Sequence, residues 1–465
     1  MQANSSDMQP PPGVVELRED VPLKAGTSMG ADSGSQCCGG GPRFILACFA
    51  VLSVGITLAL MTQIYYGEYE VIPHGSVSSS AAQCSRAGTD ALKAGGRAMD
   101  AAVVAALCLA VLAPHRTSLD SSGSLLYWEY RTSHNQAPLL AEWGGPNPLA
   151  KNDTSPPRAL AALAWLHSNY GVLPWSRVLQ PAIDIARNGF NVSDGLSAAI
   201  EAQNGKVVAP GTPRNVPDLA KYLESLQANS SSELAKFWDS EKDIARSSPH
   251  GMFAGSWKMY AGGMGAAAAG AALASALQPP IPDPNTGFQK AVISLQQAAM
   301  RDEWPPIGGV ATGLAVVDRF DTYIALVMGL SKPFGTGSTV PEGFFKDEPT
   351  SPLDLAPAII VDEHTCGTRY IIGAESSSAL AQGAVSLLTA GTGSGAVEQS
   401  RVSVYAGGVL GIEATKEPPE ELPMKIPPTL VNATKPYPAV NVVLQIGDQL
   451  QSHADSRGGG LASRF

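Results

Sequence analysis

The chain has 465 residues, 44% hydrophobic and 15% charged, which is room for one large domain or two to three ordinary ones and too apolar for wholesale disorder. It carries 31 Lys+Arg against 41 Asp+Glu, a net −10 with no basic block, which argues against a nucleic-acid binder. Six cysteines in this length exclude a disulfide-stapled miniprotein.

Residues 1–43 are rich in Pro, Gly and Ser and read as a disordered cytoplasmic tail. Cys37 and Cys38 near its end are either S-palmitoylation sites or reduced bystanders. Residues 44–66 are apolar apart from Ser53, Thr57 and the run through Gln63, and end on Tyr65-Tyr66. As a helix this segment is about 35 Å long, enough to cross a ~30 Å hydrocarbon layer. Arg18, Lys24 and Arg43 precede it, and no Lys or Arg follows before Arg86. The positive-inside rule then predicts an uncleaved signal anchor: single-pass, type II, N-terminus cytoplasmic, with the bulk extracellular or luminal. On that side Asn152, Asn191, Asn229 and Asn432 each head an N-x-[ST] glycosylation sequon. Cys84 and Cys108, 24 residues apart in an oxidising compartment, are expected to form a disulfide, which leaves Cys366 as the odd luminal thiol.

The Ala-rich stretch 86–113 reads as two helices broken at Gly95-Gly96, the second ending at Pro114. Ser124 to Tyr130 has strand character. Two amphipathic helices follow, 156–169 and 175–188, with Gly189 as the stop. Residues 217–245 look helical and polar, 262–285 a helix hairpin and linker, and Lys290 to Glu303 a short helix. From Gly313 strands dominate: Leu314 to Val317, Tyr323 to Met328, Ala358 to Val361, Tyr370 to Ile372, Val402 to Tyr405 and Val440 to Ile446, with a helix over Ser376 to Leu388. The class is α+β, with helices packed on sheet layers.

There is no GxGxxG after a strand, no GxxxxGK[ST] and no HExxH. The seven histidines are scattered and give no zinc-ligand spacing, so no metal and no cofactor are expected. Unaided, the residues give a membrane glycoprotein without a named reaction.

Four islands carry a resemblance. They are Gly95-Gly96-Arg97-Ala98-Met99-Asp100-Ala101-Ala102 running on to Cys108 and Pro114-His115; Tyr170-Gly171-Val172-Leu173-Pro174-Trp175 with Gln180-Pro181-Ala182-Ile183; Phe334-Gly335 with Gly343 and Glu348; and Ala454-Asp455-Ser456-Arg457-Gly458-Gly459. In this order they resemble the gamma-glutamyltransferase (glutathione hydrolase) family, in a short type 6-like membrane branch that lacks about 100 large-subunit residues around 265–305. The resemblance implies an N-terminal-nucleophile hydrolase, an αββα sandwich made as a zymogen. It would cut itself into a large chain, 67–310, and a small chain, 311–465, which stay together as a heterodimer. A freed Thr hydroxyl would open γ-glutamyl amides such as glutathione, with its own α-amine as base.

The implied nucleophile here is Thr312, within Ala311-Thr312-Gly313-Leu314. Aligned on Leu314 without a gap, the nucleophile position is Ala311. Thr312 takes it only if one residue is deleted after it. The implied substrate contacts are Glu348 for the ammonium and Ser376-Ser377 at the oxyanion turn, where the family has Gly-Gly. The family's carboxylate-clamping Arg falls near Glu142, and its ammonium-contacting Asn at Ser331. The other reading keeps the fold without the chemistry: an inactive paralogue serving as a binding or interaction glycoprotein. Arg457 and Asp100 read as structural pairing or capping residues, and Trp143 and Trp175 as core.

Overall fold

The computed structural model describes residues 41–66, 74–145, 156–278, 283–301, 309–362, 367–390, 393–413, 430–433 and 435–465. The chain divides into two compact units, residues 1–70 and 71–465. In the first, helix α1 (Gly41–Tyr66) contains the stretch Arg43–Gln63, long and apolar enough to cross a membrane by length and composition. The tail thiols Cys37 and Cys38, and also Asn152 and Cys366, lie outside the described residues.

Among the described residues, two main sheets with thirteen strands form the frame of the second unit. In chain order they are β1 (Ser76–Ser79), β2 (Ser122–Glu129), β3 (Leu139–Trp143), β4 (Ile244–Ser247), β5 (Met252–Ala254), β6 (Trp257–Ala261), β7 (Val310–Val317), β8 (Thr322–Leu330), β9 (Ala356–Asp362), β10 (Thr368–Ala374), β11 (Val440–Ile446), β12 (Gln449–His453) and β13 (Ser463–Arg464). One sheet runs β13-β1-β7-β8-β2-β3-β4, the other β12-β11-β10-β9-β6-β5. Each sheet takes strands from both sides of residue 310.

The inner faces of the two sheets meet in one apolar layer. Leu126, Trp128, Ala315, Val317 and Ala325 come from the first sheet, and Tyr260, Ile359, Ile371 and Val443 from the second. The outer face of the first sheet is covered by α2 (Ala82–Lys93), α3 (Ala98–Leu112), α4 (Arg158–Tyr170) and α5 (Trp175–Asn188). Helices α6 (Asp194–Asn204), α7 (Pro217–Ser225) and α8 (Ser231–Phe237) extend the same core. The outer face of the second sheet is covered by α9 (Ala266–Ala276), α10 (Pro284–Met300) and α11 (Ser377–Ala390). The four layers are therefore α, β, β and α.

Local sequence explains these elements. In α5 the buried Trp175, Val178, Leu179, Ala182, Ile183 and Ala186 recur at three- and four-residue intervals, the stripe of a helix packed on one face. In α3 nearly every side chain is buried, as suits a helix between a sheet and other helices. Its one buried charge, Asp100, accepts from Arg97 N at 2.7 Å, Leu173 N at 2.9 Å and the His167 ring at 3.0 Å. That confirms its capping and pairing role. Cys84 and Cys108 are joined, tying α2 to α3. By loop-closure arithmetic, a bridge across 24 residues is worth about 3.5 kcal/mol.

Several expectations need correction. The polar stretch 217–245 is not one helix: it breaks into α7, α8 and short 3₁₀ turns, then enters β4, whose residues pair with β3. Helix α10 starts at Pro284, six residues before Lys290, because Asp283 caps it by accepting from Asn285 N and Thr286 N. Tyr130 leaves the strand for a helical turn. Strands β1, β3, β5, β6, β12 and β13 and helix α6 had no sequence assignment.

Candidate functional site

The site is at the end of the sandwich where β7 begins. Side chains alternate across a strand. Leu314 and Val316 enter the helix-side core, with Met328 across from Thr312 on β8. Ala315 and Val317 enter the core between the sheets. Ala311 packs with Val327, Leu353 and Leu355, also on the inter-sheet side. Thr312 therefore presents its side chain to the helix layer. It is 1% exposed, and its Oγ1 has no hydrogen-bond partner. An unsatisfied buried hydroxyl costs about 1–3 kcal/mol and is uncommon.

Strand β1 pairs with β7 only as far as Ser79 opposite Leu314. Beyond it, side chains replace the missing strand. Asn441 Nδ2 donates to the Gly313 carbonyl at 2.7 Å and to Ser80 Oγ at 2.8 Å. Arg116 donates to the Ala311 carbonyl at 3.3 Å and to Glu375 Oε2 at 2.5 Å. Glu375 also accepts from Ser80 Oγ at 3.0 Å and Ala439 N at 2.9 Å. All of these side chains are buried. The two sheets touch closely here: a Cβ on Gly313 would sit 2.4 Å from the Gly373 carbonyl oxygen.

The turn from β10 into α11 delivers Glu375 to this network and Ser377 to another. Ser376 caps α11, its Oγ accepting from Ala379 N at 3.2 Å. Ser377 donates from N and Oγ to Asp354, at 3.0 and 2.5 Å. Burial pushes the Asp354 carboxyl above the usual carboxylate range, against the pull of the Ser377 donors. Asp354 lies between Leu353 and Leu355, on the segment that covers Ala311. Gly265 has no Cβ because one would overlap Ser377 Oγ at 2.0 Å. Just before it, Gly263 N donates to Glu142 Oε1 at 3.0 Å, and Ser124 Oγ reaches the same oxygen at 3.1 Å.

Glu348 is exposed, while its neighbour Asp347 turns inward. Asp347 accepts from Ser331 N at 2.9 Å and from Ser331 Oγ. Burial pushes its carboxyl up, and the Ser331 donors oppose this. His115 is buried with Nδ1 unpartnered; burial, then the neighbouring Arg116 charge, pushes its imidazole down to about 3. Arg457 pairs with Glu413 at 2.7 Å and Asp455 at 3.1 Å, a structural role as read from sequence. Asn191, Asn229 and Asn432 are all exposed. Among the described residues no cluster of three or more His, Cys, Asp or Glu could hold a metal.

The structure thus brings Thr312 and the Ser376-Ser377 turn to one end of the sandwich. Sequence reading missed Arg116, Glu375, Ser80, Asn441 and Asp354. The one local signal was the Pro114-His115 motif, whose next residue is Arg116.

The sequence pattern of the gamma-glutamyltranspeptidase family matches residues 84–247. Human glutathione hydrolase 7 is 32% identical over 217 residues, which is 41% of this chain and 33% of that protein. Glutathione hydrolase 6 of Bos taurus is 39% identical over 149 residues, 31% of this chain and 30% of that protein. The chain thus spans about a third of the length of the curated relatives it matches. Cephalosporin acylase from Bacillus halodurans superposes with a TM-score of 0.67 at 16% identity, over 84% of this chain and 96% of that one. This chain has its fold.

Proposed function

Since the chain belongs to the gamma-glutamyltransferase family, near the type 6 and type 7 glutathione hydrolases, we propose that it opens the γ-glutamyl amide of glutathione or its conjugates, by hydrolysis or by transfer to an acceptor amine. The nucleophile is Thr312 Oγ1, exposed to chemistry once the Ala311–Thr312 bond is cut and the chain becomes a heterodimer of its own two pieces. The observation that carries the reading is that hydroxyl: buried at the start of a central strand, with no partner to tie it down. In the uncut chain it lies on the helix side. A terminal residue has no upstream chain to hold it, so hydroxyl and amine can exchange sides by rotation about the residue's own bonds. The amine then serves as base. Ser376, Ser377 and Glu348 contact substrate, and no cofactor takes part. Segment 44–66 anchors the protein as a type II single-pass membrane protein, with residues from 67 on extracellular or luminal and glycosylated at Asn152, Asn191, Asn229 and Asn432.

A second reading, a binding glycoprotein without turnover, is favoured by three observations. Ala311 holds the inter-sheet position. The Ser377 N–H is already occupied by Asp354. A carboxylate, Glu142, stands near where the family's carboxylate-clamping Arg falls.

Expression of the full chain in a secretory host separates the two. The enzyme reading expects two bands on a denaturing gel after deglycosylation, the smaller beginning at Thr312. It also expects γ-glutamyl anilide cleavage that Thr312→Ala abolishes. One uncut band without anilide release leaves only the second reading.

A further inference from the structure

We propose that Arg116 polarises the Ala311 carbonyl for opening of the Ala311–Thr312 bond, with Glu375 as its positioning residue. The inference rests on the Thr312 reading above and adds the group that reading lacks.

Two neighbouring carbonyls on one strand edge are satisfied in different ways. Both Gly313 and Ala311 lie where β1 no longer pairs with β7. The Gly313 oxygen is satisfied by a neutral amide, Asn441 Nδ2, at 2.7 Å. If satisfying the edge were all that was needed, Ala311 could be served the same way. It receives a guanidinium instead, with a side chain only 5% exposed, and a second buried charge, Glu375 at 2% exposure, holds that cation in place. Burying such a pair is rarely the cheapest way to stabilise a fold. Glu375 also accepts from Ser80 Oγ and Ala439 N, and Arg116 is steadied by the Tyr437 and Arg457 carbonyls at 3.4 Å. Glu375 is thus an orienter and not a free base.

The 3.3 Å contact to the Ala311 oxygen is long for a charged donor, and such contacts tighten as negative charge gathers on the acceptor. The attacking hydroxyl does not need the inter-sheet side. From the helix side Thr312 Oγ1 can reach the carbonyl carbon immediately upstream by closing a five-membered ring, while Arg116 meets the oxygen along the strand edge.

The step balances with water as the only co-reactant. Thr312 Oγ1 bonds to the Ala311 carbonyl carbon, and the C=O electron pair moves onto the oxygen beside Arg116. The C–N bond then breaks, and the nitrogen takes the hydroxyl proton to become the Thr312 amine. An ester now joins Ala311 to Thr312 Oγ1. Water adds to that ester, the C–Oγ1 bond breaks, and the products are the Ala311 carboxylate, one released proton and the restored hydroxyl.

The test is pulse-chase cleavage of the full chain in a secretory host, in wild type, Arg116→Lys and Arg116→Ala. Folding is verified by thermal melting and by the intact Cys84–Cys108 bond. The expected result is cutting slowed about 100-fold, the usual loss when one oxyanion donor is removed. Hydroxylamine should not accelerate it, because no ester accumulates, and added guanidinium should partly restore Arg116→Ala. Variants that melt normally and cut at the wild-type rate overturn the role of Arg116 and leave Thr312 standing. So does an accumulating, hydroxylamine-sensitive ester. If the single variants fail to fold, Arg116→Met combined with Glu375→Leu removes both charges together, and wild-type cutting in that protein overturns the proposal. A wild-type chain that never cuts overturns both this inference and the reading beneath it.

Discussion

The two halves of β7 are made differently. Leu314 to Val317 pair with β1 on one side and β8 on the other, and their side chains fill two apolar cores. Val310 to Gly313 keep β8 but lose β1, and an Arg, a Glu, a Ser and an Asn take over its place. A ladder between strands satisfies backbone groups without charge and without choice. Side chains can do the same with polarity and position set residue by residue. In the proposed function, the part of the strand that gives up a neighbour is where chemistry becomes available, and the doubly paired part holds it still.

The largest effect should come from breaking the pair on the singly flanked half. Arg116→Met strands Glu375 in the interior and should lower unfolding free energy by about 3–5 kcal/mol in denaturant titration. A loss under 1 kcal/mol would show that Glu375 is not held by this cation. Next is Gly313→Ala at the close approach of the sheets, where the added methyl must displace β10. Its expected cost is about 1–3 kcal/mol, read from the same titration.

His115 gives the same end of the strand a pH signature. Its folded value, about 3, is below the ordinary 6.5, so between those values the unfolded chain binds more protons than the folded one. Stability should therefore be full above pH 6.5 and fall as pH drops through that window, by up to about 1.4 kcal/mol per pH unit. His115→Asn should flatten that slope, and a parallel slope in the variant would refute the assignment.

The smallest effect has the opposite sign. Thr312→Val replaces an unpartnered hydroxyl with a methyl of similar shape and should raise stability by about 1 kcal/mol. A loss of that size would mean that the hydroxyl has a partner after all.

Where sequence reading succeeded, the information was local. The helix break at Gly95-Gly96, the stop after Asn188 and the strand at Val440–Ile446 all follow from residues within a turn of one another. Strand β1 was illegible because Ser76-Val77-Ser78-Ser79 has one apolar residue among three serines yet is wholly buried. Its serines find partners such as the carbonyls of His453 and Ser463, hundreds of residues away. Strand β4 was hidden in a polar stretch whose pairing with β3 no window could see. Arg116 was missed for the same reason. Its partners at 311, 375, 437 and 457 meet it only in the folded chain, and alone it looks like a loop cation after a helix.

The interleaving of strands has a last consequence. Strand β1 is flanked by β7 and β13, β2 by β8, and β6 by β9, so segments from before residue 310 are wedged between or beside segments from after it in both sheets. Severing one peptide bond near that point would leave two polypeptides woven through each other. Neither could diffuse away without dismantling the sandwich, and a nicked molecule would migrate on a native gel as a single body.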